Sequence, residues 1–326
     1  MRKCFIVPAV RHGLILVALG SWLLPCHGRT EGDGATTDTL TIVFTGDILL
    51  DRGVRKVIDH HGVDALFTAG VDSVFRQAQV VVGNLECPAT KIQAPVMKRF
   101  IFRTEPEWLD SLRQHGFTHL NMANNHSIDQ GRAGLSDTRH HIIEAGMTPV
   151  GAGDSMSQAT LPILLSNHPR PVYLFASNRL PLENFAYLTD QPCISQEPMD
   201  SLIFRIAETK KADSTAIVIV SLHWGGEHTL QPVPRQRMEA HRIIDAGADA
   251  LICHHTHTLQ TIEEYHGHPI YYSIGNFIFD QSRQINARAC MVRLSITKNR
   301  MDTETIPIQI QRCAPTVRNS AATLSD

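Results

Sequence analysis

The 326-residue sequence carries 30 Lys+Arg against 32 Asp+Glu, 43% apolar side chains, 18 His and 7 Cys. It is too apolar and too weakly charged for a disordered chain, and a formal net charge of −2 gives no electrostatic basis for a dedicated nucleic-acid binder. With no Cys-x-x-Cys pair, it is neither a disulfide scaffold nor a zinc ribbon.

The chain starts with Arg2, Lys3 and Arg11, followed by an apolar run from Leu14 to Leu24. That run falls short of the about 20 apolar residues that span a bilayer and fits the h-region of a secretory signal. Leu23-Leu24-Pro25-Cys26 then resembles a bacterial lipoprotein processing site, although Pro25 stands where a small residue is usual. Two readings stay open: lipidation of Cys26, or ordinary signal cleavage or retention as an anchor. Either way the expectation is an exported, cell-envelope protein, periplasmic or membrane-anchored through a lipid or signal anchor. Residues 1–26 are thus an address and 27–39, rich in Gly, Thr, Asp and Glu, a flexible tether. Cys87, Cys193, Cys253, Cys290 and Cys313 remain beyond them, an odd set for which no disulfide is predicted.

From Leu40 to residue 312 short apolar runs alternate with helix-like stretches. Strands are expected at Leu40–Phe44, Val80–Val82, Phe117–Met122, Ala216–Leu222, Ala250–Cys253 and Pro269–Ile274. Thr104-Glu105-Pro106-Glu107 has capping-box spacing ahead of a helix that stops near Gly116, and Val233–Ala248 carries apolar residues at helical spacing. Such alternation predicts one α/β domain with strands buried on both faces. Residues 313–326 read as a polar tail that frays.

A polar, metal-capable cluster comes after strand upon strand. Asp47 ends the first; Glu86 lies just past the second in Gly83-Asn84-Leu85-Glu86; Asn125-His126 lies past the third; His223 ends the most β-like run; His255 and His257 lie past the next. Each has a bland alternative when taken singly: a turn Asp, a solvated loop acid, a polar turn, a core histidine. Together they sit where open α/β sheets build their sites. In extended backbone His255 and His257 would point the same way. Imidazole with carboxylate and amide oxygen suits Zn, Fe or Mn. His126 is the candidate acid or electrostatic clamp, and Arg103 the candidate partner of an anionic substrate. Asn276 and Asp280 could line the rim, and His119 reads as structural. No nucleophile elbow, Walker loop or Rossmann fingerprint appears.

The order and spacing of Phe44-Thr45-Gly46-Asp47, Gly83-Asn84-Leu85-Glu86, Ala123-Asn124-Asn125-His126, Ser221-Leu222-His223-Trp224-Gly225, His255-Thr256-His257 and Tyr272-Ser273-Ile274-Gly275-Asn276-Phe277 resembles the bacterial capsule-synthesis CapA family, associated with poly-γ-glutamate capsules. Thr256 stands where that family usually has Pro. The family is similar in turn to calcineurin-like metallophosphoesterases, which implies a four-layer α/β/β/α sandwich with a two-metal site at the strand ends. The resemblance implies Asp47, Asn125, His223, His255 and His257 as ligands, with two departures. Leu49 replaces the first-block His, and Asn84 replaces the bridging Asp, so Glu86 has to supply that carboxylate. The function implied is that of a capsule-biosynthesis protein holding one or two divalent ions (Mn, Zn or Fe) and acting as a hydrolase or transferase. Its partners would be an anionic polymer, a phosphorylated or γ-glutamyl substrate, and a membrane synthase complex. The alternative is a non-catalytic, envelope-tethered accessory protein that binds polymer or synthase.

Overall fold

The computed structural model describes residues 38–182, 189–281 and 283–318; the signal segment and most of the tether therefore lie outside the described residues. In chain order, β1 (Leu40–Ile48) is followed by α1 (Arg52–His61), α2 (Ala69–Phe75), β2 (Val80–Leu85), α3 (Trp108–His115), β3 (His119–Asn121), α4 (Gly131–Glu144) and β4 (Thr148–Val150). A second run holds β5 (Ala152–Gly153), α5 (Met156–Ala159), β6 (Ile163–Ser166), β7 (Val172–Asn178), β8 (Cys193–Ile194), α6 (Met199–Ala212), β9 (Ile217–His223), α7 (Pro234–Asp245) and β10 (Ala250–Ile252). The chain closes with β11 (Ile262–Tyr265), β12 (His268–Tyr271), β13 (Asn276–Ile278), α8 (Gln284–Ala287), β14 (Arg288–Ile296), β15 (Met301–Gln311) and β16 (Ala314–Val317).

Two large sheets result. One runs β16-β15-β14-β1-β2-β3-β4 with β13 also on β1, the other β11-β12-β10-β9-β7-β6. Pleating divides the apolar side chains into layers. Val43, Val81 and Leu85 face a core shared with Val54, Val71, Leu109 and Leu135 of α1 to α4. Ile42, Phe44, Val80 and Val82 instead meet Leu174, Ile217, Ile219 and Ile252 of the second sheet. On that sheet's far side, Val218, Val220 and Leu222 pack on Leu202, Ile206, Ala240 and Ile243 of α6 and α7. The order helix, sheet, sheet, helix is the four-layer α/β/β/α sandwich that the resemblance implied.

Some local expectations change. The expected capping box before α3 does not form: Glu107 takes the cap position in helical conformation without a side-chain bond, and the Thr104 hydroxyl is buried without a partner. Helix α7 ends at Asp245, because Gly247 adopts φ +108° and turns the chain. The C-terminal tail does not begin at 313. Arg312 and Cys313 take left-handed φ of 49° and 70°, the geometry of a tight hairpin, and β16 pairs antiparallel with β15. Val317 packs against the helix-side core, so apolar burial holds a segment whose composition looked polar. Residues 319–326 lie outside the described residues.

Candidate metal centre

Asp47 owes its direction to an irregularity in β1. Phe44 pairs with Val82 but Asp47 pairs with Asn84, so β1 carries one residue more than β2 between those points. One extra residue inverts which face each later side chain takes. Val43 faces the helices; after the bulge Ile48 does so, and Asp47 turns to the seam between the sheets. Gly46 makes this possible: a Cβ there would lie 2.0 Å from the Gly275 carbonyl oxygen, and Asp47 N donates to that same oxygen at 3.1 Å. Simple alternation places Asn84 in line with Val80 and Val82, and His223 in line with Ile217 and Ile219, all toward the seam.

The donors meet there. Glu86, His223 and His255 form one set of potential ligands and Asp47, Glu86 and His257 a second, the atoms of each set lying within 4.8 Å of one another. Glu86 belongs to both, as a bridging carboxylate must. Its Oε1 is 3.6 Å from His223 Nε2 and 3.9 Å from His257 Nε2. His223 Nε2 lies 2.9 Å from Asn125 Oδ1, which places the amide oxygen beside the first set. Asp47 Oδ1 accepts from Asn84 Nδ2 at 2.8 Å, and its Oδ2 is 3.3 Å from His257 Nδ1. Asn84 does not replace the missing Asp as a ligand; it braces Asp47 and accepts at Oδ1 from Asn121 and Asn124. Leu49, at the expected His position, is fully buried in the helix-side core.

His255 and His257 reach the cluster by a route other than the extended pleat expected of them. They carry φ of +97° and +57°, a conformation costly for non-glycine residues, and their ring centroids stand 6.0 Å apart. His254, immediately before them, is structural: its Nε2 meets the Thr45 carbonyl of the opposite sheet at 3.1 Å and its Nδ1 the Ser221 hydroxyl at 3.3 Å.

The electrostatics fit a cation. Both Glu86 oxygens are buried without a hydrogen-bond partner, as is His255 Nδ1. Burial, aided by Asp47, pushes the Glu86 carboxyl well above the carboxylate range. Burial holds His223 well below the imidazole range and His255 down to about 3, so both keep their lone pairs. Burial also opposes a charge on His257, but Glu86 and Asp47 outweigh it and raise that imidazole to about 9. A buried carboxylate with no donor is unstable as it stands; a divalent ion would supply the missing charge. Carboxylate, amide and imidazole donors together suit Mn, Zn or Fe.

His126 is 6% exposed, and its Nδ1 lies 2.8 Å from Asp129 Oδ2. Lys98 Nζ donates to Asp129 Oδ1 at 2.7 Å and to the Asn125 carbonyl at 2.9 Å. Asp129 therefore accepts Nδ1–H and leaves Nε2 as the basic nitrogen. Burial, outweighing Asp129, keeps His126 below its usual range and hence neutral near pH 7. The Phe102 ring, centroid 4.2 Å away, backs the imidazole.

Arg103 is not brought to this cluster. Its guanidinium donates to the Thr90 carbonyl at 2.9 Å and to Glu105 Oε1 at 3.0 Å: a carboxylate two residues on, shared with Arg55, captures it. The cation at the rim is Arg52, stacked 5.0 Å from the Phe102 ring and 5.4 Å from the Phe279 ring and ion-paired with Asp280. Asn276 does arrive, its Oδ1 3.0 Å from His257 Nδ1. Sequence reasoning missed Asp129, legible in the three-residue spacing from His126, and Lys98, which only a long loop delivers. The five cysteines among the described residues are free thiols.

The family described as bacterial capsule synthesis protein PGA_cap matches residues 41–281. The PGA biosynthesis protein CapA of Bacillus subtilis (strain 168) is 35% identical, over 85% of this chain and 73% of its own length. The capsule biosynthesis protein CapA of Bacillus anthracis is 30% identical, over 94% of this chain and 76% of its own. Among solved structures, a Staphylococcus aureus protein proposed to be a 5'-nucleotidase superposes with a TM-score of 0.50 at 14% identity, over 88% of this chain and 56% of that longer one. That likeness shows the fold alone.

Proposed function

The chain belongs to the bacterial capsule synthesis protein family PGA_cap, and on that premise we propose that it works in the cell envelope as a divalent-metal-dependent hydrolase or transferase on an anionic capsule polymer of the poly-γ-glutamate kind. The observation that carries the reading is Glu86, a fully buried carboxylate shared by two ligand sets, with neither oxygen hydrogen-bonded.

Asp47, Glu86, Asn125, His223, His255 and His257 would hold one or two such ions. When bound, such an ion supplies Lewis acidity at an acyl or phosphoryl oxygen and a water that ionises near neutral pH. The chain's own residues supply the rest. His126, fixed by Asp129, takes a proton at Nε2 from the attacking group and returns it to the leaving group as that group departs. Lys98, ion-paired with Asp129, holds that carboxylate in place. The apolar rings of Phe102 and Phe279 close one side of the site, next to His126 and His257, and exclude water from it. Export and anchoring through residues 1–26, which the composition of that segment supports, and contact with a membrane synthase, which the relatives' role in PGA biosynthesis supports, complete the proposal.

The test is elemental analysis of the purified protein beside a His255→Ala/His257→Ala variant, with hydrolysis of γ-glutamyl and phosphodiester substrates measured after metal stripping and reloading. Activity should follow metal content and vanish in the variant. Metal-free protein with no activity on either substrate class would favour the accessory role instead.

A further inference from the structure

Beside the ligand cluster lies a cavity of about 380 Å³ whose wall includes Arg52, His228, Asp280, Arg283 and Asn286. It joins the metal centre at His257. Asn286 Nδ2 donates to the His257 carbonyl at 2.7 Å, the His228 ring centroid is 6.2 Å from that of His257, and the Phe279 ring under Arg52 is 4.6 Å from it.

The cavity's charge can be apportioned. Arg52 and Asp280 are ion-paired and cancel. His228 faces the Glu227 carboxylate, its Nε2 3.7 Å from Glu227 Oε2, and meets Asn286 Nδ2 at its Nδ1, 3.0 Å away. Arg283 is exposed and has no carboxylate within ion-pair distance among the described residues. Among the described residues Arg283 is thus the cation of this wall that no carboxylate answers directly. A second group is unmatched as well. Asn286 is 1% exposed; its amide nitrogen serves the His257 carbonyl and His228 Nδ1, and its Oδ1 is buried with no hydrogen-bond partner. A lone guanidinium beside an orphaned acceptor calls for a ligand with one negative charge and one N–H.

We propose that this cavity is a subsite for one unit of an amide-linked polycarboxylate, the carboxylate on Arg283 and the chain amide N–H on Asn286 Oδ1, one step along the polymer from the metal ligands. The inference rests on the polymer reading above and adds to it the place where a neighbouring glutamyl unit is held. A phosphate fits less well, since a dianion would meet the single Arg283 guanidinium beside the Asp280 carboxylate.

The experiment is calorimetric titration of the full-length, Mn-loaded protein with a synthetic γ-linked oligoglutamate, repeated with inorganic phosphate as competitor. Arg283→Gln should weaken oligomer binding at least about tenfold and Arg283→Lys should recover part of it, with metal content equal in all three proteins. The proposal is overturned if Arg283→Gln binds within about twofold of wild type, or if phosphate displaces the oligomer at comparable concentration. Wild type that holds metal but binds no oligomer sinks the polymer reading and the subsite with it. Wild type that binds oligomer without metal sinks only the metal reading, and the Arg283 comparison then decides the subsite alone.

Discussion

The two sheets contribute different chemistry to one centre. The β1–β4 side brings oxygen: Asp47, Glu86 and Asn125. The β9–β10 side brings nitrogen: His223, His255 and His257. The oxygen half is held by ordinary hydrogen bonds, with Asn84 bracing Asp47 and Asn124 bracing the turn at His126 and Ser127. The nitrogen half is held by backbone in the left-handed region at His255 and His257. Preorganisation is therefore achieved by bonding on one side and by strain on the other, and Glu86, which has neither, is the point at which the two halves depend on an ion.

The largest effect should come from Glu86→Gln. Removing the shared charge should weaken metal binding more than about 100-fold, beyond the roughly 10–100-fold that outer-shell changes cost. The metal-free variant should also be more stable than metal-free wild type. Linkage gives the sign: the Glu86 carboxyl sits well above its ordinary value of 4.5 in the fold, so the folded state binds the extra proton, and wild type loses stability as pH rises above that value. Thermal melts of chelated proteins should converge near pH 4.5 and separate as the pH rises above it; parallel curves would refute the assignment.

Next, the single variants His255→Ala and His257→Ala should each lower the metal-to-protein ratio by about one ion, because each histidine serves a different set. Loss of both ions in either variant would show the halves to be inseparable. Asp129→Asn should then lower turnover by about 10²–10⁴-fold at unchanged metal content, since it replaces an acceptor-only carboxylate with an amide that can donate to Nδ1 and favour the other His126 tautomer. The smallest effect concerns His119, the imidazole of β3, which belongs to neither ligand set. Burial lowers it to about 4, so it is neutral in the fold, and stability falls as pH drops from about 6.5 toward 4. His119→Gln should flatten that part of the melting profile by several degrees.

Much of this was readable from the chain. Apolar runs ending in Asp, Asn or His located the strands and their metal-bearing ends, because strand burial and strand-end sites are both local in sequence. Three things were not. The bulge that aims Asp47 depends on a backbone contact with Gly275, far along the chain. The capture of Arg103 by Glu105, and the presence of Arg52 as the rim cation in its stead, come from loop geometry that no periodicity encodes. The strand at 314–317 is decided by what Val317 touches. Residue type shows which groups could act; the tertiary contacts decide which of them are already committed elsewhere.

The contact between Gly46 and Gly275 has a consequence that reaches past this chain. It leaves no volume for even one methyl carbon, so Gly46→Ala would act as a wedge driven between two backbones, rotating the first carboxylate off its bearing without touching any donor atom. A variant that keeps every ligand yet binds no ion would be its signature, and position 46 alone then forecasts whether a related sequence can close such a centre.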